Sequence, residues 1–219
     1  MTRRVAILLF DGFDLIDAGG PYEVFLTASR LAERDGLRPQ YEVILVSSGG
    51  ADAVAFGGMT LTALHDPADV GQVDIAIVPG TVDVAAAVAD PVLASTVEGL
   101  LNSSRVTASV CTGAFLLAEA GALQGKRATT HWEDVDDLAR TGKVVEALPG
   151  VRWVDEGHCD VGWPGLRHAH GTAPGGSGLR SRSRGAHREA TRPAVGPDRR
   201  FIVGYAAYCP SGGVARTRL

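Results

Sequence analysis

The chain has 219 residues, 45% of them hydrophobic, which is enough to bury a large core in one domain or in a domain with an appendage. No run of about 18 apolar residues occurs, which excludes an ordinary membrane-spanning helix, and the net charge of −4 argues against a nucleic-acid partner. The three cysteines, Cys111, Cys159 and Cys209, are odd in number and far apart, so they give neither a disulfide framework nor a zinc spacing; no metal or organic cofactor is indicated, and a reducing cytoplasm is the expected setting.

The stretch Met1–Arg4 is too short for a secretory signal and runs straight into Val5–Phe10, which is expected as a first strand. Three more short apolar runs, Val43–Ser47, Ile75–Val78 and Val106–Val110, read as buried parallel strands. Helical patterns fall between them. Pro21–Glu33 has proline in its first turn and would place Val24, Phe25, Ala28 and Leu31 on one face. Asp90-Pro91 is a cap signal, followed by an apolar stripe of Leu93, Val97, Leu100 and Leu101. Val54–Ala63 reads as a small strand pair turning at Gly57-Gly58. Thr112–Ala120 reads as a helix closed by Gly121, a further helix runs from Trp132 or Glu133 to about Thr141, and Arg152–Val154 is a late strand. Strands alternating with helices predict an α/β fold: a doubly wound, mostly parallel sheet with helices on both faces. Its site should lie beyond the carboxyl ends of the strands. Cys111, Asp11, Asp14, Asp17 and Pro79-Gly80-Thr81 all fall at such ends.

The segment Val106–Gly121 carries the sharpest signal. A strand ends, one cysteine follows, and a helix starts at once, with Ser109 and Gly113 two positions either side of Cys111. A nucleophile on a tight strand-to-helix turn needs small neighbours, because the backbone crowds itself there. The amides of Thr112 and Gly113 would then face the sulfur at a helix N-terminus, which is expected to favour the thiolate.

The motifs Leu8-Leu-Phe-Asp-Gly-Phe13, Ile16-Asp-Ala-Gly-Gly-Pro21, Val78-Pro-Gly80, Ser109-Val-Cys-Thr-Gly-Ala114 and Ala128-Thr-Thr-His-Trp132 together resemble the ThiJ/PfpI superfamily. That family has a class-I-glutamine-amidotransferase-like, flavodoxin-like fold. Within it, the chain is most similar to the branch of isonitrile hydratases and of sensor domains of AraC-type regulators. The resemblance implies Cys111 as nucleophile, Asp17 as its acid/base or water-orienting partner, and Thr112 as a neighbour giving an amide or hydroxyl. It makes Gly80, Thr81 and Gly113 candidates for holding substrate or a developing oxyanion. Thr81 stands where relatives usually carry glycine, and Thr112 stands where peptidase-like relatives carry histidine. The implied activity is hydration of an isonitrile to an N-substituted formamide by a homodimer. The alternatives are a ligand-sensing domain without catalysis, or a redox- or glyoxal-responsive thiol protein.

Composition breaks after residue 157. Residues 1–157 hold 11 Lys+Arg and 22 Asp+Glu, or −11, whereas 158–219 hold 10 Arg and 3 acids, or +7. This divides the chain into a domain at 1–157 and a basic, Gly/Arg/Pro-rich tail at 158–219, expected to hold little regular structure apart from the apolar run Phe201–Tyr208. Back-translation of 158–173 with permitted codons, read one nucleotide later, allows Thr-Ala-Thr-Ser-Ala-Gly-Leu-Ala. That matches the Thr-Ser-Ala-Gly turn expected of the family at this point, so the tail reads as out of frame; the alternative is a genuine basic tail that binds nucleic acid or another acidic partner.

Overall fold

The structure is a computed structural model that describes residues 1–156 and 200–204. In chain order the elements are β1 (Arg3–Leu8), α1 (Leu15–Arg34), β2 (Tyr41–Val46), β3 (Ala53–Val54), β4 (Thr60–Leu61), α2 (Pro67–Val70), β5 (Val73–Val78), α3 (Val84–Ala89), α4 (Pro91–Ser103), β6 (Ser104–Val110), α5 (Gly113–Glu119), β7 (Arg127–Ala128), α6 (Val135–Arg140), β8 (Glu146–Ala147), β9 (Trp153–Asp155) and β10 (Arg200–Gly204). Most of the second region, 158–219, lies outside the described residues, as do Cys159 and Cys209. Of the Phe201–Tyr208 run, the described part belongs to β10.

The main sheet has the order β2-β1-β5-β6-β10-β9. Pairing is parallel from β2 to β10 and antiparallel between β10 and β9. Apolar strands buried on both faces explain why β1 and β5 read as continuous hydrophobic runs: Val5 to Leu8 and Ile75 to Val78 are all within the core. The chain leaves β1 outward to β2, then returns to β5 on the other side of β1. That reversal makes the ends of β1 and β5 the switch point, the place where doubly wound sheets generally bind their ligands. The predicted α/β architecture is therefore the observed one.

Helix α4 follows its pattern: Asp90 Oδ1 accepts from the amides of Val92 (2.8 Å) and Leu93 (3.2 Å), and Leu93, Val97, Leu100 and Leu101 are buried. Helix α1 departs from the predicted pattern. It starts six residues before Pro21, which lies inside it. The predicted face is also rotated, since Val24 and Leu31 are exposed while Ala18, Ser29 and Ala32 are buried. Pro21 cannot donate to the carbonyl four residues back, so its place in the second turn costs the helix a hydrogen bond. The true face is fixed by Ser29, whose hydroxyl donates to the Tyr41 carbonyl and accepts from the Tyr41 amide, both at 2.8 Å. A polar residue thus docks α1 on β2, which a hydrophobic pattern does not register.

Helix α5 is held against β5 by the absence of a side chain. A Cβ on Gly113 would stand 2.3 Å from the Val78 carbonyl oxygen and 2.7 Å from that of Pro79. Both are backbone atoms at a strand end and cannot yield locally. We therefore expect Gly113→Ala to lower unfolding stability by about 3 kcal/mol or more, at the upper end of overpacking costs, as read by urea denaturation.

Candidate active site

Cys111 joins β6 to α5 with a φ of +55°. A left-handed conformation is uncommon for a residue with a side chain and is stable only when its surroundings impose it. Three groups do so here. Gly113 lets α5 pack directly on the end of β5. The Thr130 hydroxyl donates to the Cys111 carbonyl at 3.0 Å. The amide of Phe115 donates to the Thr112 carbonyl at 3.0 Å, closing the first turn behind the thiol.

Asp17 reaches the same point from the first turn of α1. It is 2% exposed, and its Oδ2 accepts from the Gly80 amide at 3.2 Å. The carboxylate also lies near enough to the Cys111 thiol for each to shift the other's pKa. Glycine at position 80 is required by this packing, because a Cβ would stand 2.7 Å from both Asp17 Oδ2 and Thr112 Oγ1. The structure thus brings together Cys111, Asp17, Gly80, Thr81, Thr112 and Gly113, residues separated by up to 96 positions in sequence.

Their hydrogen bonds differ from the expected ones. The Thr81 amide donates to Thr112 Oγ1 at 2.8 Å, and that hydroxyl donates back to the Thr81 carbonyl at 2.7 Å. The Gly80 amide is committed to Asp17. Both loop amides expected to face an oxyanion therefore hold the site itself together, and the Thr112 hydroxyl is a clasp rather than a substrate ligand. The amide of Thr112 is the one that meets the sulfur. Thr81 also anchors the first loop, since its hydroxyl donates to the Gly12 carbonyl at 2.8 Å. That bond gives the threonine a place where relatives carry glycine.

Electrostatics overturn the expected resting thiolate. Burial pushes the Cys111 thiol up to about 12, and the neighbouring Asp17 charge adds to the rise, while the Thr112 amide opposes it. The N-terminus of a seven-residue helix does not offset loss of water and a carboxylate in contact. Burial also raises Asp17, from 3.8 to about 6, reinforced by Asp14 and opposed by the Gly80 amide and the Cys111 thiol. At neutral pH the pair is a neutral thiol beside a carboxylate.

Two residues that the sequence placed near the site, without assigning them a role, also contribute. Asp14 occupies the N-cap of α1 without a side-chain capping bond, and its charge raises both members of the pair. Thr130 holds the elbow from beyond β7, buried beside Thr129 within the Ala128–Trp132 motif. His131 bonds Asp134 through Nδ1 at 3.1 Å, and its charge bears on Asp17 from a distance. Among the described residues, no three His, Cys, Asp or Glu side chains converge as a metal site. No helix among them is long and apolar enough to cross a membrane.

Residues 3–162 match the DJ-1/PfpI family. An uncharacterized protein from the cpoL 5′ region of Streptomyces lividans is 38% identical over 138 residues, or 63% of this chain and 94% of that protein. Isonitrile hydratase from Pseudomonas putida is 31% identical over 144 residues, 66% of this chain and 59% of that enzyme. An HTH-type transcriptional regulator from Mycobacterium tuberculosis is 32% identical over 139 residues, 58% of this chain and 50% of that protein. The chain thus spans little more than half of the hydratase and half of the regulator. A ThiJ/PfpI family protein from Pseudomonas syringae has the same fold, with a TM-score of 0.61 at 18% identity over 94% of this chain and 63% of that one.

The raised Asp17 carries a stability consequence. Its folded pKa of about 6 lies above the unfolded 3.8. The folded state therefore binds the proton more tightly, and stability from this group is full below about pH 4 and lost as pH rises through 6. Asp17→Asn removes the penalty of ionising at this site. It should raise stability at pH 7.5 by up to about 3 kcal/mol, with the gain shrinking as pH falls to 4. Thermal unfolding of both proteins across pH checks the sign.

Proposed function

Because the chain belongs to the DJ-1/PfpI family, we propose that it hydrates an isonitrile to an N-substituted formamide, with Cys111 as nucleophile and Asp17 as proton carrier. The observation that supports this reading is the buried thiol–carboxylate pair on the elbow. An isonitrile carbon must gain both a nucleophile and a proton, and a neutral thiol beside a carboxylate supplies both.

The thiol adds across the terminal carbon of R–N≡C. Sulfur forms the S–C bond, and its proton passes through the Asp17 carboxylate to the same carbon, giving the thioimidate R–N=CH–S–Cys111. The Thr112 amide donates to sulfur while charge develops there. Water then adds to the thioimidate carbon. Asp17 takes a proton from that water and one reaches nitrogen. Collapse of the adduct breaks the C–S bond, returns the thiol and releases R–NH–CHO, so the sum is one isonitrile plus one water. Thr112 and Gly80 act by holding Cys111 and Asp17 in register.

A sensing role is favoured by the likeness to the Mycobacterium regulator. It would give saturable binding of a small ligand without turnover.

The test is formamide production from benzyl isonitrile, followed by mass spectrometry. Cys111→Ala should abolish it. Asp17→Asn should lower kcat/KM by about 10²-fold or more. Because the carboxylate form of Asp17 receives the thiol proton, kcat/KM should fall as pH drops below about 6. Turnover undiminished in Cys111→Ala would sink the mechanism, and tight binding without product would favour sensing.

A further inference from the structure

The carbonyl of Cys111 and the amide of Thr112 are two ends of a single peptide group. One end is gripped by the Thr130 hydroxyl at 3.0 Å, and the other donates to the Cys111 sulfur. In a trans peptide these ends point in opposite directions, so fixing one aims the other. We propose that Thr130 is a positioning residue for the nucleophile: its hydroxyl sets the plane of the Cys111–Thr112 peptide and thereby points the Thr112 amide at the sulfur.

Other supports on this peptide are weak. The Ala114 amide lies 3.5 Å from the same carbonyl, at the limit of a useful hydrogen bond. Cys111 itself holds a φ of +55°, so the peptide has a relaxed alternative into which it would turn if released. Thr130 is 2% exposed, so water has no route to replace its hydroxyl. Its own segment is fixed independently: the neighbouring Thr129 hydroxyl donates to the Leu148 carbonyl at 2.9 Å, and the Leu148 amide donates to the Ala128 carbonyl at 2.8 Å. A hydroxyl donating to a carbonyl also polarises that peptide and strengthens its N–H as a donor. The Thr130 effect therefore reaches the sulfur without touching it. The role rests on Cys111 being the reacting group, as proposed above, but thiol reactivity can be read without any isonitrile.

The experiment is the rate of Cys111 alkylation by iodoacetamide between pH 6 and 10, measured on the Cys111 peptide so that Cys159 and Cys209 do not contribute. Below the thiol pKa this rate follows the thiolate fraction, so a lost donor appears as a lower rate at fixed pH. Thr130→Val, which keeps the volume, should slow alkylation by about fivefold or more. Thr130→Ser, which keeps the hydroxyl, should return it to within about twofold. A purely structural role would lower the melting temperature in both variants and leave the rate of the folded protein unchanged; that result overturns the proposal. If Thr130→Val does not fold, Thr130→Ala replaces it, with the same slowing expected and the same unchanged rate overturning the idea. A slowed thiol in a protein that never hydrates isonitriles would retain this inference while removing the hydratase reading.

Discussion

Cys111 is held at a positive φ, and much of the site follows from what is needed to keep it there. A side chain in that conformation costs of the order of 1–3 kcal/mol unless the surroundings over-determine it. The surroundings are backbone surfaces brought into contact by missing side chains. Gly113 seats α5 on the last carbonyls of β5, and Gly80 admits both Asp17 and Thr112 to the loop beyond β5. The two glycines act on opposite sides of the same contact. One lets the helix after Cys111 approach the sheet, and the other lets the Asp17 carboxyl approach the thiol. Both contacts lie at the switch point between β1 and β5, where the strand order reverses.

The buried pair sets stability against chemistry. A carboxylate with 2% exposure, next to a thiol and within reach of Asp14, is an unfavourable group to ionise. The fold offsets this with one amide from Gly80 and one thiol proton. A core built for stability alone would place an apolar residue at position 17. Retaining aspartate there puts a proton acceptor with a pKa of about 6 against a sulfur that releases its proton reluctantly. That combination suits reactions in which proton and sulfur are delivered to the same substrate. It suits peptidase-type attack poorly, because attack there depends on a preformed thiolate.

How far the sequence carried the reading depended on whether the signal was local. The four parallel strands β1, β2, β5 and β6, the Asp90 cap and the stripe of α4 are local patterns, and the structure reproduces them. The elbow was legible because crowding around a nucleophile leaves small residues at fixed offsets. The start and face of α1 were not, because Ser29 docks the helix through a polar bond to β2 and Pro21 is tolerated in the second turn. The direction of the loop amides was also hidden. Gly80 and Thr81 sit where donors should sit, yet one amide serves Asp17 and the other serves Thr112. Such assignments depend on partners 31 and 63 residues away and leave no periodic trace. The thiol's protonation state was misjudged for a related reason. Helix N-termini are visible in sequence, whereas burial and the Asp17 contact are tertiary.

Thr112 and Thr81 show how the site substitutes one support for another. A glycine at position 81 would lose the hydroxyl bond to the Gly12 carbonyl and leave the loop beyond β5 pinned through Thr112 alone. Threonine there binds the Gly12 carbonyl through its hydroxyl, and its amide and carbonyl are both taken by Thr112. The loop is then pinned on two sides, to the β1 loop and to the nucleophile's helix. Histidine at position 112 could not make this two-way clasp, because a neutral imidazole nitrogen donates or accepts but a single atom does not do both. The residue that removes the peptidase-like partner from the thiol is thus also the one that locks the loop carrying Gly80. Position 112 therefore couples two properties, leaving Asp17 as the ionisable group beside the sulfur and fixing the loop whose Gly80 amide holds Asp17 in place.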